Sequence, residues 1–390
     1  MKKFKTLFFT IAIAIVLIPA AASSVLAAPI AAAPALKEKP LAKAAYLMEY
    51  STGTELFAYN PSARLPIASM VKIMTAALSF EHVESGKITL DTMIAVSPRA
   101  ASMGGSQAFL DANSQYNAAD LIKSIIVASA NDSCVAMAEE ISGSIEGFVD
   151  LMNEKARSLG CTDTNFVNCT GLPAPGAYSS ARDVAVMTRE LIKHPDFFKF
   201  STIWMEDLVH PGGRVTGLTN TNKLVRFYEG CDGGKTGFTS DALFCLSATA
   251  KRNGLRLISV IISANDSKVR FAEVSKLLNF GFANYENKVM VLGGQELQQA
   301  APVKNGREDE VKLRAKSELG VFGLRGKAAE DIKIVEEITP LTAPVEEGAC
   351  AGKIRIVRGG EVIAETDIIT ASAVGKRGYR DILADIFGEM

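Results

Sequence analysis

The chain has 390 residues, of which 48% are apolar and 22% charged, with a formal net charge of −1. That length allows two domains and a large core, and the balance excludes a disordered chain. A charge so near zero gives no surface-wide basic field, so nucleic acid is not expected as a partner.

At the N-terminus, Lys2, Lys3 and Lys5 precede the apolar run from Leu7 to Ile18, and small residues follow up to Pro29. Basic, apolar and small segments in that order predict a signal peptide over residues 1–27, cut after Ala27, and hence an exported protein. The apolar run before Pro19 is short for a membrane span. Loss of the three lysines would take the formal charge from −1 to −4. Residues 28–40 are rich in Ala and Pro and read as a linker.

The segments AAYLMEY and TELFAYN flank Ser51-Thr52-Gly53, which predicts a first β-hairpin. A mostly helical stretch runs from Ile67 to about His194, its pieces separated by Gly, Ser and Asn clusters. Then come GGKTGF, ALFCLSATAKR and LRLISVIIS as successive strands, and a last helix, VRFAEVSKLLNFGFANY, ending near Tyr285. A hairpin first, helices in the middle and strands last imply one sheet that joins both ends. The fold class for residues 41–285 is therefore α+β, an antiparallel sheet flanked by helices. Beyond it KVMVLG, EVKLRAK, KIRIVRGG and EVIAETDI alternate with period two, predicting a smaller all-β domain over 286–371. In the tail, 372–390, one helical face would carry Tyr379, Ile382, Leu383, Ile386 and Phe387. Such a helix would lie in a membrane interface, as a peripheral contact, or dock on protein.

Of the six cysteines, Cys134 falls in an apolar helical stretch and reads as a buried free thiol. Cys161 and Cys169 bracket a short loop, and Cys231 and Cys245 flank a hairpin. Either pair could bridge in an exported protein.

PIASMVKIMTA, Pro66 to Ala76, is apolar nearly all round yet carries Ser69 and Lys72. Three residues apart, the two share a helix face, and no other serine in the chain has a lysine three residues later. An ammonium there either snorkels to solvent or is desolvated. Desolvation lowers a lysine's pKa, and a neutral amine can take the proton of a serine and make it a nucleophile. In a first helical turn, backbone N–H groups would face the charge that develops. A second signature is DGGKTGF, Asp232 to Phe238, on a predicted strand. Alternation points Lys235 and Gly237 to one face and Thr236 to the other, and glycine admits a ligand's backbone. The tetrapeptide SAND occurs twice, at Ser129–Asp132 and Ser263–Asp266. Only the first gives the order Ser-x-x-Lys, Ser-x-Asn, Lys-Thr-Gly known from penicillin-binding proteins and class A β-lactamases; the second reads as a loop and helix cap.

On these motifs, and on GGSQAFL, IIVASANDSCVAMAE, NEKARSLGCTDTNFVNCTGL and CDGGKTGFTSDALFCLSATA, the chain resembles the low-molecular-mass penicillin-binding proteins. More narrowly, it resembles the serine-type D-alanyl-D-alanine carboxypeptidases, peptidase family S11, over about residues 41–371. The resemblance implies a β-lactamase/transpeptidase-like domain that removes the terminal D-alanine of peptidoglycan stem pentapeptides and is trapped by β-lactams. It implies Ser69 as the acylated nucleophile, Lys72 as its base, and Ser129 and Asn131 as the pair that relays a proton to the leaving D-alanine and holds the substrate amide. Lys235 and Thr236, with Gly237 beside them, would bind the terminal carboxylate, and the N–H groups of Ser69 and Phe238 would form the oxyanion hole. Some members carry an arginine in an Asn-x-Asn stretch where this chain has Asn220-Thr221-Asn222.

Two other readings share the fold. A class A β-lactamase needs a glutamate to activate water, usually within Glu-x-x-Leu-Asn, and no such stretch occurs. A non-catalytic wall-binding protein would have no use for a desolvated lysine. The only histidines are His82, His194 and His210, with neither a Gly-x-Ser-x-Gly elbow nor a His-Glu-x-x-His helix. No metal or organic cofactor is expected.

Overall fold

The computed structural model describes Leu36 and residues 38–379. The predicted leader, most of the linker and the amphipathic tail past Tyr379 lie outside the described residues.

The sequence opens on a hairpin, β1 (Ala44–Glu49) and β2 (Glu55–Tyr59). Helix α1 (Lys72–Glu84) follows, buried on every side from Lys72 to Phe80, as an all-round apolar helix must be. The short strands β3 (Met93–Ala95) and β4 (Gln115–Asn117) pair around α2 (Pro98–Ala101). Next come α3 (Ala118–Val127), α4 (Asn131–Ser142), α5 (Ile145–Ser158), α6 (Ala181–Leu191) and α7 (Phe197–Ser201). A second hairpin, β5 (Met205–Val209) with β6 (Val215–Thr219), and the turn of helix α8 (Leu224–Phe227) precede the last strands. These are β7 (Cys231–Thr239), β8 (Leu243–Arg252) and β9 (Leu255–Ala264), followed by α9 (Ser267–Asn284). Asp266, in the second SAND, caps α9 by accepting the N–H of Lys268. The helical stretch is thus interrupted by β3 and β4, too short to show a period, and the β5–β6 hairpin was not foreseen.

All five strands of the main sheet are antiparallel, in the order β2-β1-β9-β8-β7. The first and last thirds of this domain meet where β1 pairs with β9. Strand alternation divides the interior in two. Ala44, Tyr46 and Met48 of β1 join Ile258, Val260 and Ile262 of β9 in the core shared with the helices. Ala45, Leu47, Leu257 and Ile261 face the other way, onto Val274, Leu277 and Leu278 of α9. β7 is left as an edge, beside the helical core.

Past α9 the chain is all β: β10 (Tyr285–Val291), β11 (Ala301–Lys304), β12 (Glu310–Val311), β13 (Leu313–Ala315) and β14 (Leu319–Leu324), then β15 (Ile332–Ile338), β16 (Leu341–Thr342), β17 (Cys350–Arg358) and β18 (Glu361–Thr370). Its largest sheet runs β13-β18-β17-β15 over a separate apolar core that includes Val303, Leu313, Ile354, Ile356 and Ile368.

All six cysteines are free. Cys231 faces Ala250 across the β7–β8 ladder and Cys245 faces Gly237, so those two are out of register for a bridge. Cys161 and Cys169 are buried thiols, like Cys134.

Candidate active site

Ser69 lies in one 3-10 turn, Ala68–Val71, that leads into α1. The turn opens on Ala68 at φ 48°, a left-handed conformation that must be held by its surroundings. Two backbones hold it. A Cβ on Gly237 of β7 would lie 2.6 Å from the carbonyl oxygen of Ile67 and 3.2 Å from the Ser69 nitrogen. A Cβ on Gly171 would lie 2.0 Å from the carbonyl oxygen of Ala68, and Gly171 itself has φ 79°. The loop that carries Gly171 is tied by Asn168, whose Oδ1 accepts the N–H groups of Thr170 and Gly171 at 3.1 and 2.7 Å. Ser69 itself is partly exposed.

Lys72 is wholly buried. Its Nζ lies 3.1 Å from Ser69 Oγ, 2.7 Å from Asn131 Oδ1 and 2.5 Å from the Thr170 carbonyl oxygen. Burial holds its pKa below the ordinary lysine value, against the opposing influence of Cys134, Cys169 and Asp132. A neutral amine keeps two N–H donors and one lone pair. The two carbonyl-type oxygens can take the donors, which leaves the lone pair for the serine hydroxyl.

The break between α3 and α4 supplies the next pair. Ser129, buried and also left-handed at φ 64°, receives a hydrogen bond from Lys235 Nζ at 2.8 Å. Asn131 opens α4 and donates from Nδ2 to the Gly104 carbonyl at 2.7 Å. The neighbouring Asp132 carboxylate accepts the N–H groups of Ala108 and Leu110. The loop before α3 is thereby fastened to the start of α4, and Asn131 is oriented toward Lys72.

From β7, Lys235 is buried and Nζ also donates to the carbonyl of Thr236 at 3.1 Å. Burial, and then the charge of Lys72, hold its pKa well below the ordinary value. Thr236 donates from Oγ1 to Thr221 Oγ1 at 2.7 Å. Phe238 is exposed and stacks on Phe244 with ring centroids 4.4 Å apart. The structure thus gathers Ser69, Lys72, Ser129, Asn131, Lys235, Thr236, Gly237 and Phe238 around the junction of β7, the 3-10 turn and the α3–α4 break.

Two participants, Thr170 and Arg270, were not singled out from sequence, and a third, Thr221, was noted only for standing where some family members have an arginine. Thr221 is held between Asn220 and Asn222, whose side chains bind backbone carbonyls, among them that of Gly233 at 3.1 Å. Thr170 contributes only a backbone oxygen, which leaves no side-chain signal. Arg270 of α9 is buried, donates to the Gly237 carbonyl at 3.1 Å and has no partner for Nε among the described residues; its position four residues into a helix gave no hint of a contact with β7. Among the described residues no group of three or more His, Cys, Asp or Glu side chains could hold a metal ion.

The chain is similar to known proteins along most of its length. The family model described as D-alanyl-D-alanine carboxypeptidase, of the S11 peptidases, matches residues 30–266, and that of the penicillin-binding protein 5 C-terminal domain matches 285–376. D-alanyl-D-alanine carboxypeptidase DacF of Bacillus subtilis (strain 168) is 38% identical over 349 residues, 89% of this chain and 90% of its own length. Among solved structures, penicillin-binding protein 5 from Haemophilus influenzae is 33% identical and superimposes with a TM-score of 0.65, covering 88% of this chain and 100% of that one. The peptidoglycan synthesis regulatory factor PBP3 from Streptococcus pneumoniae is 26% identical with a TM-score of 0.68, over 86% and 100%.

Proposed function

Since the chain belongs to the S11 family of D-alanyl-D-alanine carboxypeptidases, we propose that it removes the terminal D-alanine of peptidoglycan stem pentapeptides through an ester on Ser69. The observation that carries the reading is Lys72: wholly buried, without an ion pair among the described residues, and 3.1 Å from Ser69 Oγ.

Ser69 Oγ attacks the carbonyl of the penultimate D-alanine while its proton passes to Lys72 Nζ. The N–H groups of Ser69 and Phe238 receive the developing oxyanion, since the 3-10 turn and the edge of β7 bring backbone donors together there. Asn131 holds Lys72 in place and offers an amide to the substrate. As the tetrahedral intermediate collapses, the leaving amine takes a proton by way of Ser129, which is coupled to Lys235 by their hydrogen bond. The departing residue's carboxylate rests against Lys235, Thr236 and the Thr221 hydroxyl. Thr221 stands where relatives with an Asn-Arg-Asn stretch would have a guanidinium, and supplies a hydroxyl in its place. Water then cleaves the ester. The edge position of β7 supports this pose, since an unpaired strand edge can hydrogen-bond an extended peptide.

β-lactams acylate the same serine. The basic, apolar and small order of the first residues supports export, and the work is then trimming of peptidoglycan at the outer face of the cell envelope, with consequences for cell shape. Among the described residues no helix is long and apolar enough to cross a membrane; the amphipathic pattern after Tyr379 supports a peripheral contact. Labelled penicillin tests the core of the reading: one covalent adduct is expected on the wild type and none on Ser69→Ala, alongside D-alanine release from diacetyl-lysyl-D-alanyl-D-alanine. An unlabelled wild type overturns it, and penicillin turnover faster than peptide turnover reassigns the chain to the β-lactamases.

A further inference from the structure

The largest sheet of the C-terminal domain has two unequal edges. β13 on one side is three residues long, whereas β15 on the other is seven, paired with β17 throughout without a break in register. Among the described residues no strand lies on the outer side of β15. Lys333 to Glu337 are all exposed, and Ile334 and Val335 leave 44% and 39% of their surface in solvent. The strand has neither proline nor bulge, so charge is the one common guard of an open edge that it carries.

Its backbone is set out for pairing. The Thr339 N–H donates to the Ala351 carbonyl at 2.8 Å, one step beyond the pair Ile338 and Gly352. Antiparallel strands alternate residues that bond inward and outward. Lys333, Val335 and Glu337 therefore bond toward β17, and Ile332, Ile334, Glu336 and Ile338 turn N–H and C=O outward.

The sequence is complementary to itself. When a second β15 is laid antiparallel about a two-fold axis at Val335, all seven residues overlap. Lys333 of each copy then faces Glu337 of the other, Ile332 faces Ile338, and Val335 faces Val335. Lys333 has no ion-pair partner among the described residues. Glu337 takes Arg355 on Oε1 at 2.5 Å and keeps Oε2 for a second cation. An axis at Ile334 or Glu336 would set Lys333 or Glu337 against Val335 and shorten the overlap, so charge and length select the same register.

We infer that β15 is a homodimer contact, in which two chains join antiparallel about Val335 and merge their C-terminal sheets into one. The contact is isologous and closes at two copies; β13 is too short to carry the pairing further. It is small beside a standard interface, which sets the affinity in the micromolar range.

Sedimentation velocity on the protein from about 1 to about 200 µM should show reversible dimerisation over that range. Glu336→Pro removes an outward N–H that β17 does not use, and should abolish the dimer while melting temperature and penicillin labelling stay as in the wild type. Lys333→Glu should weaken the dimer about tenfold, since two exposed pairs become repulsive, and Lys333→Glu with Glu337→Lys should restore it. Register is read by oxidative cross-linking in a Cys350→Ser background, the other cysteines being buried. Val335→Cys should form a disulfide-linked dimer, because a non-bonded antiparallel pair has α-carbons about 4.5 Å apart, and Lys333→Cys should not. A monomer at every concentration overturns the inference, as does a dimer that survives Glu336→Pro or cross-links through Lys333→Cys and not Val335→Cys.

Discussion

In the larger domain Lys72 and Lys235 are buried without an ion pair among the described residues, whereas in the C-terminal β domain Lys353, Arg355 and Lys316 stand at the surface beside Glu365, Glu337 and Asp367. At the surface the neighbour strengthens the charge: Lys353 draws the Glu365 carboxyl below its usual value. The buried pair is treated in the opposite sense. Burial weakens the hold of each lysine on its proton, and each sits among hydroxyl and carbonyl oxygens in place of carboxylates. Charge is arranged for reactivity in one region and for solubility in the other, so equal chemical changes should have unequal effects.

The largest effect belongs to Lys72. Lys72→Ala should remain folded and lose about 10³-fold in the rate of acylation by penicillin, within the range for removing a general base. Wild-type acylation should rise with pH through the lysine's folded pKa, which lies below the ordinary value, and the variant's profile should be flat there. Between the folded and ordinary pKa values the unfolded chain binds more protons, so this lysine makes stability rise with pH across that interval. A Lys72→Ala variant that acylates at the wild-type rate would break the contrast between the two regions.

Next comes Gly171→Ala. Its added methyl would meet the Ala68 carbonyl oxygen and require a left-handed alanine, a combined cost of about 2–5 kcal/mol. Thermal unfolding should show the loss, and labelling at Ser69 should slow as the turn shifts. Smallest of all is Arg355→Ala in the β domain. It removes two partly exposed pairs, with Glu337 and Glu365, and should leave the melting temperature within about 2 °C of wild type and penicillin labelling untouched. A larger shift would mean that the exposed pairs act as a network.

Much of this was legible in the sequence, because the chemistry uses side chains at fixed spacings. Ser69 and Lys72 share one turn, and a lysine inside an apolar run is conspicuous. The sheet could be read because β7, β8 and β9 are long and follow one another closely, and the first hairpin because its turn is rich in Ser, Thr and Gly. What escaped were contacts made by the backbone or by tertiary approach. Thr170 acts through a carbonyl, Ala68 through a dihedral angle, and Gly171 through the absence of a Cβ. Thr221 reaches Thr236 only because the β5–β6 hairpin and the asparagines around it place it there, and that hairpin carries too few buried positions to show a period: Leu208 and Leu218 are its only buried apolar residues.

An open sheet edge is ordinarily a hazard, since it invites pairing with another chain. Along β7 the first carbonyls are already occupied: the Ser201 hydroxyl donates to that of Asp232 at 2.5 Å and Asn222 to that of Gly233 at 3.1 Å. A bulge between Cys231 and Gly233 and the left-handed Gly234 bend the strand just there. What is left to accept a partner lies between Lys235 and Thr239, a few peptide units at most, and there too the Thr236 and Gly237 carbonyls take side-chain donors, from Lys235 and Arg270. β7 thus exposes as much edge as a short peptide can use and too little for a neighbouring sheet to zip onto.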